Sequence, residues 1–254
     1  MKAFDVRQCR ILRREELVPG VFSVWVEAGE LAEKAAPGQF AQIAVPGKTL
    51  RRPISICEID KARCALRFVF QIRGEGTEIL ARYEEGQSWD ILAPLGHGFE
   101  LGDCSRKVCF VGGGIGVPPL LEAAKPFGAN ASAVLGFRTK AAAILLSDFE
   151  RQGNRVILAT DDGSAGFHGL VTGCMPEDCE AVLACGPTPM LRAVAAWAAE
   201  RGVPCQISLE QRMACGVGAC LGCACKLKAE DGGWRFGHVC KDGPVFRADC
   251  VLFE

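Results

Sequence analysis

Four cysteines near the carboxyl end constrain the fold more than any other feature of this 254-residue sequence. Cys215, Cys220 and Cys223 form a C-x4-C-x2-C pattern, and Cys240 follows further along the chain. Three thiolates from one short loop and a fourth from a distant segment is the ligand spacing of a 2Fe-2S cluster. The glycines of the loop permit positive φ and a close backbone approach, so N–H groups can point at the sulfurs. The pattern therefore predicts a 2Fe-2S cluster with these four cysteines as its ligands.

A structural zinc site and a reduced cysteine-rich core are the alternatives. Zinc sites favour paired C-x2-C knuckles, whereas the loop holds a single C-x2-C. His238 could mimic a Rieske ligand, but a Rieske centre needs two histidines and residues 206–254 contain only this one. We interpret Cys225 and Cys250 as packing residues. The cluster remains the favoured prediction.

The density of cysteine changes along the chain. Nine of the fifteen cysteines are scattered before residue 206, and six lie in residues 206–254, which predicts a separate 2Fe-2S domain there. The N-terminal residues 1–14 lack the apolar core of a signal peptide. We therefore expect a cytoplasmic protein, in which clustered cysteines more often bind metal than form disulfides.

Charge and hydropathy each argue against one class of partner. The formal net charge is -1, and no long run of Lys or Arg occurs, so nucleic-acid binding is not expected. No apolar stretch reaches the roughly 18 residues of a membrane span. We predict neither a nucleic-acid nor a membrane partner.

Residues 1–101 show the pattern of short strands broken by Gly and Pro. Segments 21–26 and 66–72 alternate with period two, and 40–45 follows a Pro-Gly turn signal. Segment 77–83 is predicted as one short helix. Such closely spaced strands are typical of an antiparallel barrel or sandwich, and we predict a β-barrel domain here.

In residues 102–205 the pattern changes to strands alternating with helices. The predicted strands are 107–111, 131–137, 155–159 and 181–185, with helical segments up to residue 125 and over 189–201. This alternation indicates a parallel sheet with helices on both faces. The predicted fold class is thus multidomain β plus α/β: a barrel, a nucleotide-binding parallel-sheet domain and a small cysteine-rich domain.

Two fragments of the barrel segment fit a flavin dinucleotide. Arg52 and Ser55, in Arg-Arg-Pro-Ile-Ser, can face a phosphate and a flavin ring. Gly76 and Thr77 open the predicted short helix, whose free N–H groups and dipole favour a pyrophosphate. Each fragment alone also fits ordinary structure, such as a strand with a solvated Arg. Both fragments precede a Gly-rich nucleotide-binding segment, and together they favour a flavin site more than either does alone.

Two Gly-containing turns of the second domain suggest a nicotinamide nucleotide. Gly113, Gly114 and Gly116 follow a strand and precede a helix, which is the context of a phosphate-binding turn. The sequence departs from G-x-G-x-x-G, and such turns also serve packing alone. Cys185-Gly186-Pro187 ends a later strand, where Cys185 fits a small buried residue as well as a direct role.

The end of the second strand bears on the choice of coenzyme. An acidic residue there would favour NAD by bonding the ribose hydroxyl. The residues present are Arg138, Thr139 and Lys140, whose charge suits the 2′-phosphate of NADP. The residues alone therefore do not decide between NAD and NADP.

The order of these motifs resembles the ferredoxin–NADP reductase superfamily, with Arg-x-x-Ser, Gly-x-Gly-Thr, Gly-Gly-x-Gly and Cys-Gly-Pro in sequence. Within it, Arg-Pro-Ile-Ser at 52–55 and Met-Ala-Cys-Gly-Val-Gly-Ala-Cys-Leu-Gly-Cys-Ala-Cys at 213–225 are similar to one branch. That branch is the electron-transfer subunits of dihydroorotate dehydrogenase B. Gly-Pro-Val-Phe at 243–246 fits it too, and the resemblance covers essentially the whole chain.

The resemblance assigns cofactor contacts to individual residues. It implies FAD lined by Arg52, Pro53, Ile54 and Ser55, flanked by the backbone of Val69, Phe70 and Gln71, with Gly76 and Thr77 at the pyrophosphate. Ile54 stands where an aromatic residue often stacks on the flavin, and an apolar residue is the form expected in this branch. The resemblance also implies NAD, with the 185–187 turn beside the nicotinamide and Arg138 available for a phosphate contact.

The implied function is electron transfer in pyrimidine biosynthesis. Dihydroorotate would be oxidised on a separate FMN-containing subunit, in a two-plus-two heterotetramer, and electrons would pass through the 2Fe-2S cluster and FAD to NAD. No Ser/His/Asp arrangement or carboxylate pair suggests a catalytic acid or base in this chain. Three alternatives stay open: an electron-transfer subunit serving another partner, such as a ferredoxin–NADP or sulfite reductase; a freestanding NADH–acceptor reductase; and a non-catalytic zinc-bearing binding module.

Overall fold

A closed six-stranded antiparallel barrel forms the first part of the computed structural model, which describes residues 4–253. Its strands are β1 (Asp5–Val18), β2 (Val21–Glu27), β3 (Phe40–Ile43), β4 (Arg52–Asp60), β5 (Ala65–Gln71) and β6 (Ser88–Leu95). They pair in the order β1-β2-β5-β4-β3-β6, and helices α1 (Glu30–Lys34) and α2 (Glu75–Ala81) lie in the connections. The predicted barrel is confirmed, and α2 begins slightly earlier than the predicted residue 77.

Aromatic side chains fill the interior of the barrel. Trp89 is 1% exposed, and its ring centroid lies 5.9 Å from that of Phe70 and 6.4 Å from that of Phe68. Alternation along the strands places one face of each strand in this interior. All four residues of β3 are nevertheless buried, which means that both faces of this strand are covered.

The second part of the chain forms an α/β sheet, as predicted. Its strands are β7 (Val108–Gly113), β8 (Ala131–Phe137), β9 (Arg155–Thr160), β10 (Phe167–His168), β11 (Ala181–Cys185) and β12 (Cys205–Ser208), and its helices are α3 (Pro118–Ala124), α4 (Leu146–Arg151) and α5 (Thr188–Glu200). These six strands are parallel. The carboxyl ends of β7 and β11 therefore lie side by side, which is where open α/β sheets bind ligands.

The carboxyl-terminal segment adds a hairpin and one more strand. The hairpin strands are β13 (Ala224–Lys228) and β14 (Trp234–His238), and β15 (Val245–Arg247) pairs antiparallel with β12. The large sheet consequently has seven strands in the order β10-β9-β8-β7-β11-β12-β15. It crosses the predicted boundary at residue 205/206, because β12 spans that point and β15 follows it. The division into 1–101, 102–205 and 206–254 stays a prediction.

A buried ion pair joins the barrel to the α/β sheet. Arg67 of β5 lies 2.5 Å from Glu58 of β4 and 2.6 Å from Asp148 of α4, and its side chain is 8% exposed. Glu122 of α3 accepts a hydrogen bond from the backbone N–H of Ile59 at 2.9 Å. These contacts fix the barrel against helices α3 and α4 of the α/β part.

Among residues 4–253, no helix has the length and apolarity needed to cross a bilayer.

Candidate functional site

The predicted cluster loop folds around its own sulfur atoms. Gly216 and Gly218 have φ of 72° and 82°, a left-handed conformation that favours glycine. This turns the backbone N–H groups of Val217, Ala219 and Cys220 toward the Cys215 sulfur, at 3.4, 3.2 and 3.4 Å. The loop therefore surrounds its first cysteine with donors.

The remaining ligand candidates lie in the same place. The Sγ atoms of Cys223 and Cys240 are 3.2 Å apart and buried, and the N–H of Gly218 donates to the Cys240 sulfur at 3.2 Å. The side chain of Cys220 lies beside Cys215 and helps to lower the pKa of the Cys215 thiol. The structure thus brings all four predicted cysteines together as two close pairs, Cys215 with Cys220 and Cys223 with Cys240.

The hydrogen bonds alter the acidity of these thiols. Burial works against ionisation of Cys215, but the N–H groups of Val217, Cys220 and Ala219 outweigh it and lower its pKa to about 6. Burial and the neighbouring Cys223 raise the pKa of Cys240 to about 12. The loop favours a thiolate at its amino-terminal end, and thiolate is the ligand form that metals require.

The sulfur arrangement fits a two-iron group. No three His, Cys, Asp or Glu side chains within residues 4–253 converge on a position for one metal ion. A 2Fe-2S cluster takes two protein ligands on each iron, which corresponds to two sulfur pairs. Cys225 instead faces Gly237 across the β13–β14 hairpin, and the Cys250 sulfur lies 3.6 Å from Asp249 Oδ1. All fifteen cysteines are free.

A cavity of about 290 Å³ lies between the barrel, the α/β sheet and the cluster loop. Eight of the residues predicted to contact a flavin line it: Arg52, Pro53, Ile54, Ser55, Val69, Phe70, Gln71 and Thr77. Gly76 lies behind Arg52, since a β-carbon there would clash with the Arg52 guanidinium. Cationic Arg52 and Arg73 on an otherwise largely apolar wall suit a ring system that carries phosphates.

The nucleotide turns meet this cavity at one wall. Cys185 lines it, and burial followed by the charge of Glu210 raises the pKa of the Cys185 thiol to about 12, so the group is neutral at pH 7. A β-carbon on Gly116 would lie 2.5 Å from the Cys185 carbonyl oxygen, and one on Gly113 would lie 2.9 Å from Pro187. The two predicted glycine turns are therefore packed directly on each other, with Gly186 between them.

Arg138 lies apart from that wall, at the end of β8. Its carbonyl accepts a hydrogen bond from the N–H of Asp162 at 3.2 Å, and Asp161 donates to the Phe137 carbonyl at 3.0 Å. Two acidic residues at the end of β9 thus stand beside the basic segment. Neither residue is among those predicted from the sequence, although acidic residues directly after a parallel strand are a visible signal.

Other cavity residues were also missed. Long-range packing supplies Phe40, Arg73, Ile115, Pro119, Ser208, Leu209, Glu210, Gln211, Met213 and Pro244. Ser208 ends β12, a short strand that the sequence pattern did not reveal, and Leu209 to Gln211 follow it. Met213 and Pro244 come from the cysteine-rich segment, so this segment forms part of the cavity wall.

A larger cavity of about 750 Å³ lies elsewhere, beside Trp25, Glu58 and Glu122. None of the predicted site residues lines it. The volume of a cavity therefore does not identify the site in this protein, whereas the chemistry of the lining residues does.

Comparison with known proteins agrees with this geometry. The family model described as the iron-sulfur cluster binding domain of dihydroorotate dehydrogenase B matches residues 210–252. The chain is 41% identical to the "Dihydroorotate dehydrogenase B (NAD(+)), electron transfer subunit" of Caldanaerobacter subterraneus subsp. tengcongensis, covering 97% of this chain and 98% of that protein. The protein of the same name from Streptococcus pneumoniae strain R6 is 40% identical, with 96% and 97% covered.

Solved structures show the same architecture. The NADH-dependent reduced ferredoxin-NADP oxidoreductase, studied for flavin-based electron bifurcation, superposes with a TM-score of 0.83 at 30% identity, covering 97% of this chain and 90% of that one. The ferredoxin NADP+ reductase of Neisseria gonorrhoeae, with bound FAD and NADP, gives a TM-score of 0.65 at 14% identity, with 78% and 92% covered. The second similarity concerns the fold alone.

Proposed function

This chain belongs to the family of electron-transfer subunits of dihydroorotate dehydrogenase B, and we propose that it transfers electrons from a dihydroorotate-oxidising partner to NAD. The observation that carries this proposal is the position of the four-cysteine loop. Cys223 and Cys240, two of the four ligand candidates, lie in one buried cluster with Phe40, which also lines the flavin cavity. A one-electron site and a flavin site therefore share a wall.

Cys215, Cys220, Cys223 and Cys240 would hold the 2Fe-2S cluster, one iron for each sulfur pair. The N–H groups that surround the Cys215 sulfur, and that of Gly218 at the Cys240 sulfur, would stabilise the negative charge of the loaded site. The loop needs no rearrangement to provide these donors, because they already point at sulfur.

The barrel and the nucleotide turns would hold the flavin and the coenzyme. When bound, FAD and the iron–sulfur cluster supply the two-electron and one-electron chemistry, while the protein supplies position and charge. Arg52 and Arg73 offer positive charge to the phosphates, and the Gly116–Cys185 contact keeps the nicotinamide turn at the cavity wall. The neutral Cys185 thiol adds no charge there.

The acidic residues beside Arg138 support NAD over NADP. A carboxylate near the adenosine ribose can accept hydrogen bonds from its hydroxyls and repels a 2′-phosphate. Asp161 and Asp162 stand at the neighbouring strand end. The name of the curated relatives specifies NAD(+).

The partner we propose is an FMN-containing catalytic subunit, in a two-plus-two assembly in the cytoplasm. Exposed apolar side chains near the cluster support a docking face: Leu221, beside ligand candidate Cys220, is 60% exposed, and Trp234 and Phe236 of β14 are 54% and 56% exposed. The last two rings contact each other with centroids 5.1 Å apart. Exposed aromatic residues of this kind are typical of interface anchors.

The similarity to a ferredoxin-NADP oxidoreductase supports a second candidate, an electron-transfer subunit that serves another electron donor. The curated relatives, at about 40% identity over nearly their whole length, favour the dihydroorotate system. The two candidates differ in the donor that drives NAD reduction.

Co-expression with an FMN-containing dihydroorotate dehydrogenase subunit tests the proposal. We expect a stable complex in which dihydroorotate reduces NAD. Cys240→Ser abolishes that activity while FAD remains bound, and the matched control Cys225→Ser, on the hairpin, leaves it intact. A complex that reduces NAD from reduced ferredoxin but not from dihydroorotate would establish the second candidate instead.

A further inference from the structure

Gln42 is a polar residue on a strand face that is otherwise apolar. Its neighbours Ala41 and Ile43 point into the barrel core. Phe40, two residues away and therefore on the same face as Gln42, packs in the core that contains Cys223 and Cys240. The outer face of β3 thus lies under the cysteine-rich segment, with the Gln42 carboxamide among apolar groups.

The amide of Gln42 is buried without a partner. The residue is 0% exposed, and neither its Nε2 nor its Oε1 has a hydrogen-bond partner among residues 4–253. Buried amides in native proteins are nearly always hydrogen-bonded, because desolvation without a partner is costly. Gln39, the other buried glutamine on this side of the barrel, bonds both the Gly96 carbonyl and the Ala36 N–H.

The orphan amide lies against the cluster loop. A β-carbon on Gly216 would lie 2.7 Å from Gln42 Cγ and 2.9 Å from Nε2. Gly216 directly follows Cys215 and is itself buried. The side chain is therefore held at the loop backbone next to the first ligand candidate, in a place where only glycine leaves it room.

We propose that Gln42 is a positioning residue for the iron–sulfur site, donating a hydrogen bond from Nε2 to a sulfur on the Cys215 side of the loaded cluster. This inference rests on the proposed function, since it needs the cluster that the four cysteines would hold. A donor that is unpartnered in the protein alone gains its acceptor when sulfur with negative charge is placed beside it. The desolvation of the amide is then compensated.

The hydrogen bond has a redox consequence. Reduction adds negative charge to the cluster, so a donor stabilises the reduced form more than the oxidised form. Gln42 therefore raises the reduction potential of the cluster. Gln42 also pairs with Pro53 of β4, a residue that lines the flavin cavity, so it lies between the two redox sites.

Redox titration of the purified holoprotein, followed by electron paramagnetic resonance of the reduced cluster, tests the inference. Gln42→Met keeps the length of the side chain and removes the donor. We expect the equilibrium constant for reduction of the cluster to fall about tenfold. For a one-electron couple this lowers the reduction potential by about 59 mV. Gln42→Glu, which adds negative charge, shifts it further in the same direction. The control Ile43→Val, on the same strand but inside the barrel, leaves the potential unchanged.

Wild-type protein with ¹⁵N in its glutamine side-chain amides provides a second readout that does not depend on the folding of a variant. Pulsed electron paramagnetic resonance should detect coupling between the reduced cluster and an amide ¹⁵N. Absence of that coupling, or a Gln42→Met potential equal to that of wild type, overturns the inference. A wild-type protein without any cluster signal would instead refute the proposed function, so the two failures are distinguishable.

Discussion

Gly116→Ala tests whether the contact between the two nucleotide turns matters for hydride transfer. Gly116 is buried, and its backbone conformation is open to any residue, so the new methyl group acts only through space. The β-carbon would lie 2.5 Å from the Cys185 carbonyl oxygen and 2.6 Å from Gly186 Cα. Contacts below 3.0 Å essentially never occur, so the turns must separate by at least about 0.5 Å, the difference between 3.0 and 2.5 Å.

This displacement falls on backbone atoms of the turn proposed to hold the nicotinamide. A misplacement approaching 1 Å can cost about 100-fold in rate, so we expect kcat/KM for NADH to fall roughly 10- to 100-fold. Overpacking should also lower the free energy of unfolding by about 1–3 kcal/mol. The FAD content should stay at its wild-type level, because the barrel wall of the cavity is untouched.

The assay is steady-state NADH oxidation with ferricyanide as acceptor, which needs no partner subunit. Gly202→Asn is the matched control: Gly202 follows α5, has a φ of 66° that Asn tolerates, and has no atom within 4 Å of its β-carbon position. An NADH kcat/KM for Gly116→Ala within twofold of the control would refute the role assigned to this contact.

Three further predictions concern stability and assembly. Arg67→Met removes the buried cation that Glu58 and Asp148 share and leaves only the exposed Arg151 beside Asp148. It should lower the free energy of unfolding in urea by about 3–5 kcal/mol, whereas Arg63→Met, on the surface, should cost about 0–1 kcal/mol. Burial raises the pKa of the Glu122 carboxyl above its usual 4.5, so the folded protein binds this proton more tightly than the unfolded chain does. The stability that the proton contributes is present at low pH and is lost as the pH rises through the folded pKa. Glu122→Gln should therefore be more stable than wild type at pH 7 in urea titrations, with the difference closing below pH 4.5; a constant difference would contradict this. Trp234→Ser should weaken binding of the catalytic subunit at least tenfold in surface plasmon resonance, with ferricyanide reduction unchanged, and equal affinity would exclude this face.

Hydrophobic periodicity in the sequence correctly predicts the bounds of the long and regular helices and strands, to within a residue in the two cases that follow. The strand predicted at 131–137 is β8 with the same ends, and the helix predicted at 189–201 is α5 shifted by one residue. Such segments carry their signal locally, because each buries one continuous face. By contrast, α4 has six residues and only Phe149 buried, which is too little pattern to detect.

Long-range pairing explains the remaining differences in fold. β15 has three residues and joins the large sheet only by pairing with β12, which lies almost forty positions earlier. No local signal encodes that contact. The cysteine-rich segment is consequently built into the edge of the nucleotide sheet as well as folding around its own sulfurs.

The candidate site was predictable where chemistry is carried by short motifs. The four cysteines were predicted by their spacing and the flavin contacts by family resemblance; the structure brings the cysteines together, and eight of the nine residues predicted to contact the flavin line one cavity. Gln42 could not be predicted this way. In a strand whose residues alternate between core and solvent, a polar residue is expected to face solvent and so indicates no site. Only the stacking of the cysteine-rich segment on β3 shows that this amide is buried at the cluster loop.

Quantitative iron, sulfide, zinc and flavin analysis of anaerobically purified protein measures directly which cofactors this chain binds. Four cysteines in two close pairs predict two iron atoms and two acid-labile sulfides per chain, together with one FAD. Protein that contains zinc in place of iron, or that binds neither iron nor flavin, would contradict the assignment of this loop and of the cavity beside it.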